Sequence, residues 1–219
     1  MDAKFWLQRW RDGQIGFHRD TVMPSLEEHW PSLELPVGSL VFVPLAGKSK
    51  DMLWLTSRGF RVLGVELSPL AVEQFFEETR LEPVIHESPA GRHFVAGNIE
   101  LICGDVFAIE ANLLSACAAV YDRAALIALP AHMRRRYAAH LTQALPAQCR
   151  MLLITVDYAQ EAMEGPPFSV TNEEVLSLYA DDWQVVLLER ADILASEPRY
   201  VSRGLTEMHS SVFQLRRSG

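Results

Sequence analysis

Several residues of this chain have the types and spacing to handle a small polar ligand. A turn at Leu45-Ala46-Gly47-Lys48 is followed, about 20 residues on, by Glu66. A glycine turn lets a ligand approach the backbone, and an acid at that distance accepts hydrogen bonds from ribose hydroxyls. The bland alternative for Glu66 is an acid favoured by a helix N-terminus. Further acids follow at Gly104-Asp105, Asp122-Arg123 and Asp157-Tyr158. The Gly47-Lys48-Ser49 triplet invites comparison with a phosphate-binding loop, but that motif needs its first glycine where Phe42 stands. A dinucleotide site wants further glycines where Lys48, Ser49 and Lys50 are found, so a pyrophosphate fits poorly. A nucleoside without phosphates fits better. S-adenosylmethionine is the commonest such cofactor on this kind of architecture, with Asp105 placed to meet the adenine edge.

The elements that must position these residues read as alternating strands and helices. Leu40-Val41-Phe42-Val43 is a continuous apolar run, as in a strand buried on both faces. Residues 50–58 read as a helix stopped by Gly59, and 61–67 as a second strand. Ser68 is an N-cap candidate with Pro69 at the first helical position, opening a helix to about Arg80. Strands are expected at 98–103, 118–121 and 151–156, with helices at 130–145 and 171–180. Two closing strands, 183–188 and 211–215, have no long helix between them and are expected to pair antiparallel. Residues 81–97 read as an excursion, with a hairpin around Ala90-Gly91. Short connections between alternating elements signal a parallel α/β sheet, whose ligands bind beyond the carboxyl ends of the strands. Each acid named above falls at such an end.

Composition narrows the class. The chain has 219 residues, 49% hydrophobic, which suits one globular domain with a sizeable core. A net charge of −8 disfavours general nucleic-acid binding, because phosphate contacts need a basic face. No apolar run approaches the ~20 residues of a membrane span, and the start MDAKFWLQRWRDG lacks the apolar core of a signal peptide. Three cysteines, Cys103, Cys117 and Cys149, are an odd number without CxxC spacing. A reducing cytoplasm is the expected location, with no disulfide framework. No metal site is expected: His86 and His93 flank a loop, and the histidines show no ligand spacing. Arg134-Arg135-Arg136 reads as a solvated helix face.

Several blocks resemble the thiopurine S-methyltransferase family, bacterial branch. They are W-x-x-x-W-x-x-G-x-x-G-F-H (Trp6 to His18), V-P-L-A-G-K-S-K-D-M (Val43 to Met52), G-V-E-L-S (Gly64 to Ser68), Y-D-R-A-A-L-I-A-L-P (Tyr121 to Pro130) and E-G-P-P-F-S-V (Glu164 to Val170). They run nearly end to end in the same order. Ala46 departs from the pattern, where the family usually has cysteine. The resemblance implies a class I S-adenosylmethionine-dependent methyltransferase fold of the α/β class. That is a mostly parallel, doubly wound sheet with an antiparallel C-terminal strand. It also implies a single domain over 1–219, with residues 1–35 as a helical N-terminal lid.

Carried over onto this chain, the family's cofactor contacts are Trp6, Trp10, Phe17, Leu45, Glu66, Asp105, Val106 and Arg123. The acceptor pocket would be lined by Phe17, Arg123 and a C-terminal arginine, Arg199, with Arg203 the competing candidate. The implied reaction is methylation of aromatic or heterocyclic thiols such as thiopurines. Methyl transfer from a sulfonium mainly requires alignment, and an aromatic thiol ionises readily near neutral pH. An arginine that favours and orients the thiolate therefore suffices, and Arg123 and Arg199 suit that role. Asp122 either pins Arg123 or contacts substrate. His18 has no evident carboxylate partner and reads as structural. The Gly165-Pro166-Pro167 turn either edges the acceptor pocket or redirects the chain. Competing readings are a relative that methylates halide, thiocyanate, selenium or tellurium species, a non-catalytic S-adenosylmethionine-binding module, and a nicotinamide oxidoreductase. No heptad pattern appears, and a monomer without nucleic-acid or membrane partners is expected.

Overall fold

The computed structural model describes residues 3–217. Met1, Asp2, Ser218 and Gly219, which belong to the expected domain and, in part, to the expected lid, lie outside the described residues. The chain opens with two short helices, α1 (Ala3–Arg11) and α2 (Pro24–His29). Strand β1 (Leu40–Val43), helix α3 (Asp51–Ser57), strand β2 (Arg61–Glu66) and helix α4 (Pro69–Thr79) follow as the sequence suggests. The Ser68 hydroxyl accepts from the Ala71 amide at 3.3 Å, and Pro69 occupies the first turn. This cap satisfies one of the amides that a helix start leaves orphaned. Along α4, Val72, Phe75 and Phe76 are buried at i, i+3 and i+4, which fixes the face that meets the sheet.

The excursion is a hairpin as expected, β3 (Val84–Ser88) and β4 (Gly91–Ala96), and it leads into β5 (Ile99–Cys103). Then come α5 (Ala111–Leu114), β6 (Cys117–Asp122), α6 (Ala125–Ala128), α7 (Ala131–Ala144) and β7 (Arg150–Asp157). The chain continues through α8 (Asn172–Tyr179), β8 (Trp183–Asp192), α9 (Pro198–Val201) and β9 (His209–Arg217).

Among the described residues the strands form one nine-stranded sheet in the order β3-β4-β5-β2-β1-β6-β7-β9-β8. The strands β5, β2, β1, β6 and β7 are mutually parallel, and both flanks are antiparallel. The parallel part is thus the centre of the sheet, with more antiparallel pairing around it than the closing strands alone. β8 and β9 pair antiparallel as expected, but both outrun their expected bounds. Their ends carry charged and hydroxyl residues, so the apolar alternation fades while the backbone ladder continues to Asp192↔His209.

Alternation in β1 sends Val41 and Val43 to one face and Phe42 to the other. The first face packs with α3, α4 and the segment Leu26-Trp30-Leu33; the second packs with α7 and α8 through Tyr137, Leu141 and Tyr179, and with Trp183 at the start of β8. The segment expected to be a lid therefore divides, and its second half joins the core. Leu26, Trp30 and Leu33 are fully embedded core, and Trp30 meets the rings of Phe60 and Tyr121 edge-on. Only the part around α1 and the turn to Phe17 lies over the strand ends.

Candidate active site

A cavity of about 640 Å³ opens beyond the carboxyl ends of β1, β2, β5 and β6. Its lining includes every residue singled out for a ligand: Trp6, Trp10, Phe17, Leu45, Glu66, Asp105, Val106, Arg123 and Arg199. Arg203, the competitor of Arg199, lines it too.

One part of the cavity wall is built on two turns. After β1 the chain turns through Leu45 and Gly47, both in the left-handed region at φ 47° and 54°. A left-handed leucine is strained, and such strain clusters at functional sites. The turn is tied to β2 by the Ala46 amide, which donates to the Val65 carbonyl at 2.8 Å. Ala46 is itself buried against Gly64, so the departure from the family pattern sits in packing. A Cβ on Gly47 would stand 3.4 Å from the Trp10 ring, so the turn and the overlying helix come together where glycine has no side chain. Glu66 is 7% exposed. One of its oxygens accepts from the Gly47 amide at 2.9 Å and the other from the Ser68 amide at 2.7 Å. Burial raises its pKa above the ordinary carboxylate value, while these amides pull the other way. Asp105 is exposed at the cavity edge, where its side chain caps the following turn through the Phe107 amide at 3.0 Å.

Above these turns sits an aromatic cluster. The Phe17 ring meets Trp6 and Trp10 edge-on, each at 5.7 Å between centroids. Trp10 is only 4% exposed. Trp6, Trp10 and Phe17 all line the cavity.

The cavity wall also carries cations. Arg123 follows β6, and its Nε lies 2.9 Å from Asp51 Oδ2. Its Nη2 donates to Ser49 Oγ at 3.4 Å. Arg199 pairs with Glu197 at 3.0 Å, Arg19 reaches the same carboxylate at 3.3 Å, and Arg199 lies over the Tyr200 ring at 4.6 Å. Arg203 is more remote from that carboxylate; it lies 6.0 Å from the Tyr200 centroid and contacts the Met163 sulfur. Pro166 and Pro167 complete the rim, so the Gly-Pro-Pro turn does edge the cavity.

Three expectations need correction. Asp122 neither pins Arg123 nor faces the cavity. It is fully buried and accepts from the Ala125 and Leu126 amides and the Tyr137 hydroxyl, capping α6. Burial raises its pKa to about 6. His18 does have a carboxylate nearby, Asp20 at 3.4 Å, and burial leads the lowering of its pKa. Arg134 is not solvated: it is 4% exposed, donates to the Ser169 carbonyl at 2.7 Å and pairs with Glu174 at 3.1 Å. Its neighbour Arg136 stacks over the Phe107 ring at 4.0 Å on the cavity wall. His86 and His93 flank the hairpin turn as expected, as cross-strand partners with stacked rings. With Glu100 they bring three donor atoms within 4.8 Å of one another. Both ring nitrogens of His93 are already engaged, by Ser88 and Glu100 at 2.6 Å each, which closes a hydrogen-bond chain remote from the cavity.

Sequence reasoning missed Asp51, Arg19, Glu197 and Arg136. Asp51 carried a weak signal, an acid four residues after the turn glycine, but that position reads equally as an ordinary helix-start acid.

Comparison with known proteins bears on this geometry. The family model for thiopurine S-methyltransferase matches residues 1–218. The chain belongs to the thiopurine S-methyltransferase family. It is 57% identical over 219 residues to the thiopurine S-methyltransferase of Bordetella pertussis, with both chains covered in full. It is 55% identical over 217 residues to that of Xanthomonas campestris pv. campestris, covering 99% of this chain and 100% of the relative. Among solved structures, an S-adenosylmethionine-dependent methyltransferase from Thiobacillus denitrificans in complex with S-adenosylhomocysteine is similar at TM-score 0.64 and 17% identity, covering 100% of this chain and 99% of that one. A second such methyltransferase, from Anabaena variabilis, gives 0.66 at 16% identity, covering 99% and 95%. At that identity the likeness establishes the fold, the class I methyltransferase sheet with its antiparallel flanks.

Proposed function

We propose that this chain transfers the methyl group of S-adenosylmethionine to the sulfur of aromatic and heterocyclic thiols, thiopurines among them. The observation that carries the reading is a single cavity whose wall brings together a glycine turn, a buried glutamate, Arg123 and Arg199, and the aromatic cluster of Trp6, Trp10 and Phe17. The residues fit the cofactor. Glu66 suits ribose hydroxyls, the Leu45–Gly47 turn leaves backbone accessible, and Asp105 with Val106 offers a polar and an apolar edge for a flat base. Nothing in the turn supplies the amide nest that a pyrophosphate needs.

When bound, S-adenosylmethionine supplies a methyl group on a sulfonium, which a sulfur nucleophile displaces in line. The chain's own work is alignment and charge. Phe17 and the two tryptophans wall the cavity and exclude water. Arg123, fixed at its Nε by Asp51 and at Nη2 by Ser49, keeps its remaining donors for the acceptor. A guanidinium there favours the thiolate over the thiol, so the proton leaves to solvent without a dedicated base. Arg199 adds a second cation, partly neutralised by Glu197. We read the enzyme as a monomer working in the cytoplasm.

The test is transfer of labelled methyl from S-adenosylmethionine to 6-mercaptopurine, with iodide and selenite assayed in parallel. Turnover on the thiopurine is expected. Turnover confined to iodide or selenite would replace the thiol reading with an inorganic acceptor. Binding of cofactor without any transfer would leave a non-catalytic module.

A further inference from the structure

Asp51 does not line the cavity, yet four residues from three pieces of the chain converge on it. It is 1% exposed and opens α3. Its Oδ2 is 2.9 Å from Arg123 Nε and accepts from the Tyr121 hydroxyl at 3.1 Å. Its Oδ1 accepts from the Met23 amide at 2.9 Å, in the segment that leads from the lid into α2. Its own amide donates to Ser49 Oγ at 3.3 Å, and Ser49 Oγ in turn accepts from Arg123 Nη2. The carboxylate thus grips the near edge of the guanidinium while one terminal nitrogen is steadied by the turn.

A buried carboxylate with this much coordination is costly to hold unless it is paired, and Arg123 is the cation that pairs it. The consequence for Arg123 is directional. With Nε committed to Asp51, the planar guanidinium has its orientation set, and its remaining donors can serve the cavity. A lysine could not be held at one nitrogen and offer others from a rigid plane.

We infer that Asp51 is a positioning residue for methyl transfer, which orients Arg123 toward the acceptor sulfur through the Arg123–Asp51–Met23 linkage. The inference rests on the acceptor-side role of Arg123 proposed above. Stabilisation of a thiolate matters most when the thiol is otherwise protonated. The effect of Asp51 therefore depends on how acidic the acceptor is, which a purely structural role does not predict.

The experiment compares two thiophenol acceptors at about pH 5.5, a nitro-substituted one that is largely ionised there and a methoxy-substituted one that is largely protonated. Initial rates are taken on the full chain for the parent, Asp51→Asn, Arg123→Met and the double variant, with S-adenosylhomocysteine affinity measured by calorimetry. Asp51→Asn is expected to lower kcat on the methoxy acceptor at least tenfold more than on the nitro acceptor. Cofactor-product affinity should stay within about threefold of the parent, the spread expected for a residue that does not touch it. Added to Arg123→Met, Asp51→Asn should cost nothing further in kcat. Equal losses on both acceptors, losses additive with Arg123→Met, or unchanged turnover would each overturn the inference. If Asp51→Asn fails to fold, Arg123→Lys supplies the same test with Asp51 intact: the acceptor-dependent loss is expected, and parent-like rates would refute it. If Arg123→Met itself methylates thiols at the parent rate, the reading of the site fails, and that result is distinct from a failure at Asp51 alone.

Discussion

Replacing Glu66 by glutamine tests the nucleoside end of the site at almost constant shape. Both carboxylate oxygens accept backbone amides, from Gly47 at 2.9 Å and Ser68 at 2.7 Å. A glutamine offers only one oxygen, so its amide group must face one of those two donors. One buried amide then loses its partner, which costs about 1–3 kcal/mol. For a chain of this size each kcal/mol lowers Tm by roughly 2–4 °C, so a loss of about 2 kcal/mol appears as a drop of roughly 4–8 °C. A separate loss falls on binding. A hydrogen bond from ribose to a charged acceptor is worth about 1.5–3 kcal/mol, which raises the Kd for S-adenosylhomocysteine about 10- to 150-fold. Differential scanning fluorimetry and titration calorimetry read the two effects independently. A folded Glu66→Gln protein that binds as tightly as the parent would remove Glu66 from the site. An unchanged Tm would refute the claim that its two oxygens hold the turn after β1 against the start of α4.

Three further outcomes follow from the buried polar groups and the close backbone approaches. Asp122 has its pKa raised to about 6 in the fold, against 3.8 for a free side chain, so its contribution to stability is fully present below about pH 4 and is lost as pH rises through 6. Asp122→Asn, which keeps the amide acceptor and reverses the Tyr137 hydrogen bond, should gain on the parent by up to about 3 kcal/mol between pH 4 and 7 in urea unfolding; a pH-independent difference would count against a buried ionisable group there. Arg134→Met should cost about 2 kcal/mol in the same assay because it strands the Ser169 carbonyl and Glu174, whereas Arg135→Ala on the exposed side of α7 should change stability by less than about 0.5 kcal/mol; equal effects would sink the distinction. Gly104→Ala places a Cβ 2.2 Å from the Ala90 carbonyl oxygen, which cannot move without distorting the β4–β5 edge, so soluble yield or Tm should fall sharply, and a parent-like melt would refute the contact.

Much of the fold was legible because its parallel core announces itself chemically. Leu40 to Val43 and the β2 run are continuously apolar, Ser68-Pro69 marks a helix start, and Ala90-Gly91 marks a hairpin. The candidate site was legible for a related reason. In a parallel sheet the residues just after each strand share one edge, so Gly47, Glu66, Asp105 and Arg123 converge once the strands are named. What escaped depended on partners distant in the chain. Asp122 and Arg123 are adjacent, but β-strand alternation sends them apart, one to the Tyr137 side and the other to Asp51 across the sheet. Arg134 belongs to a triplet that looks solvated, and only the fold brings Ser169 and Glu174 to it. The Trp30 segment looked like part of a tryptophan-rich lid, because nothing local distinguishes a ring that roofs a cavity from one that fills a core.

The place of β9 in the sheet has a consequence for how the protein is made. It lies between β7 and β8, both of which precede it in the chain. While the polypeptide is being synthesised from the N-terminus, the outer edge of β7 has no partner until residues 158–208, including α8, β8 and α9, have emerged. That edge carries Met151-Leu152-Leu153-Ile154-Thr155-Val156, an uncharged run of the kind that pairs readily with other chains. A nascent chain paused between Asp157 and His209 therefore exposes its most aggregation-prone backbone for the whole of the pause. Synonymous codons that slow translation across this interval should lower soluble yield, while the same codons placed before β7 should not.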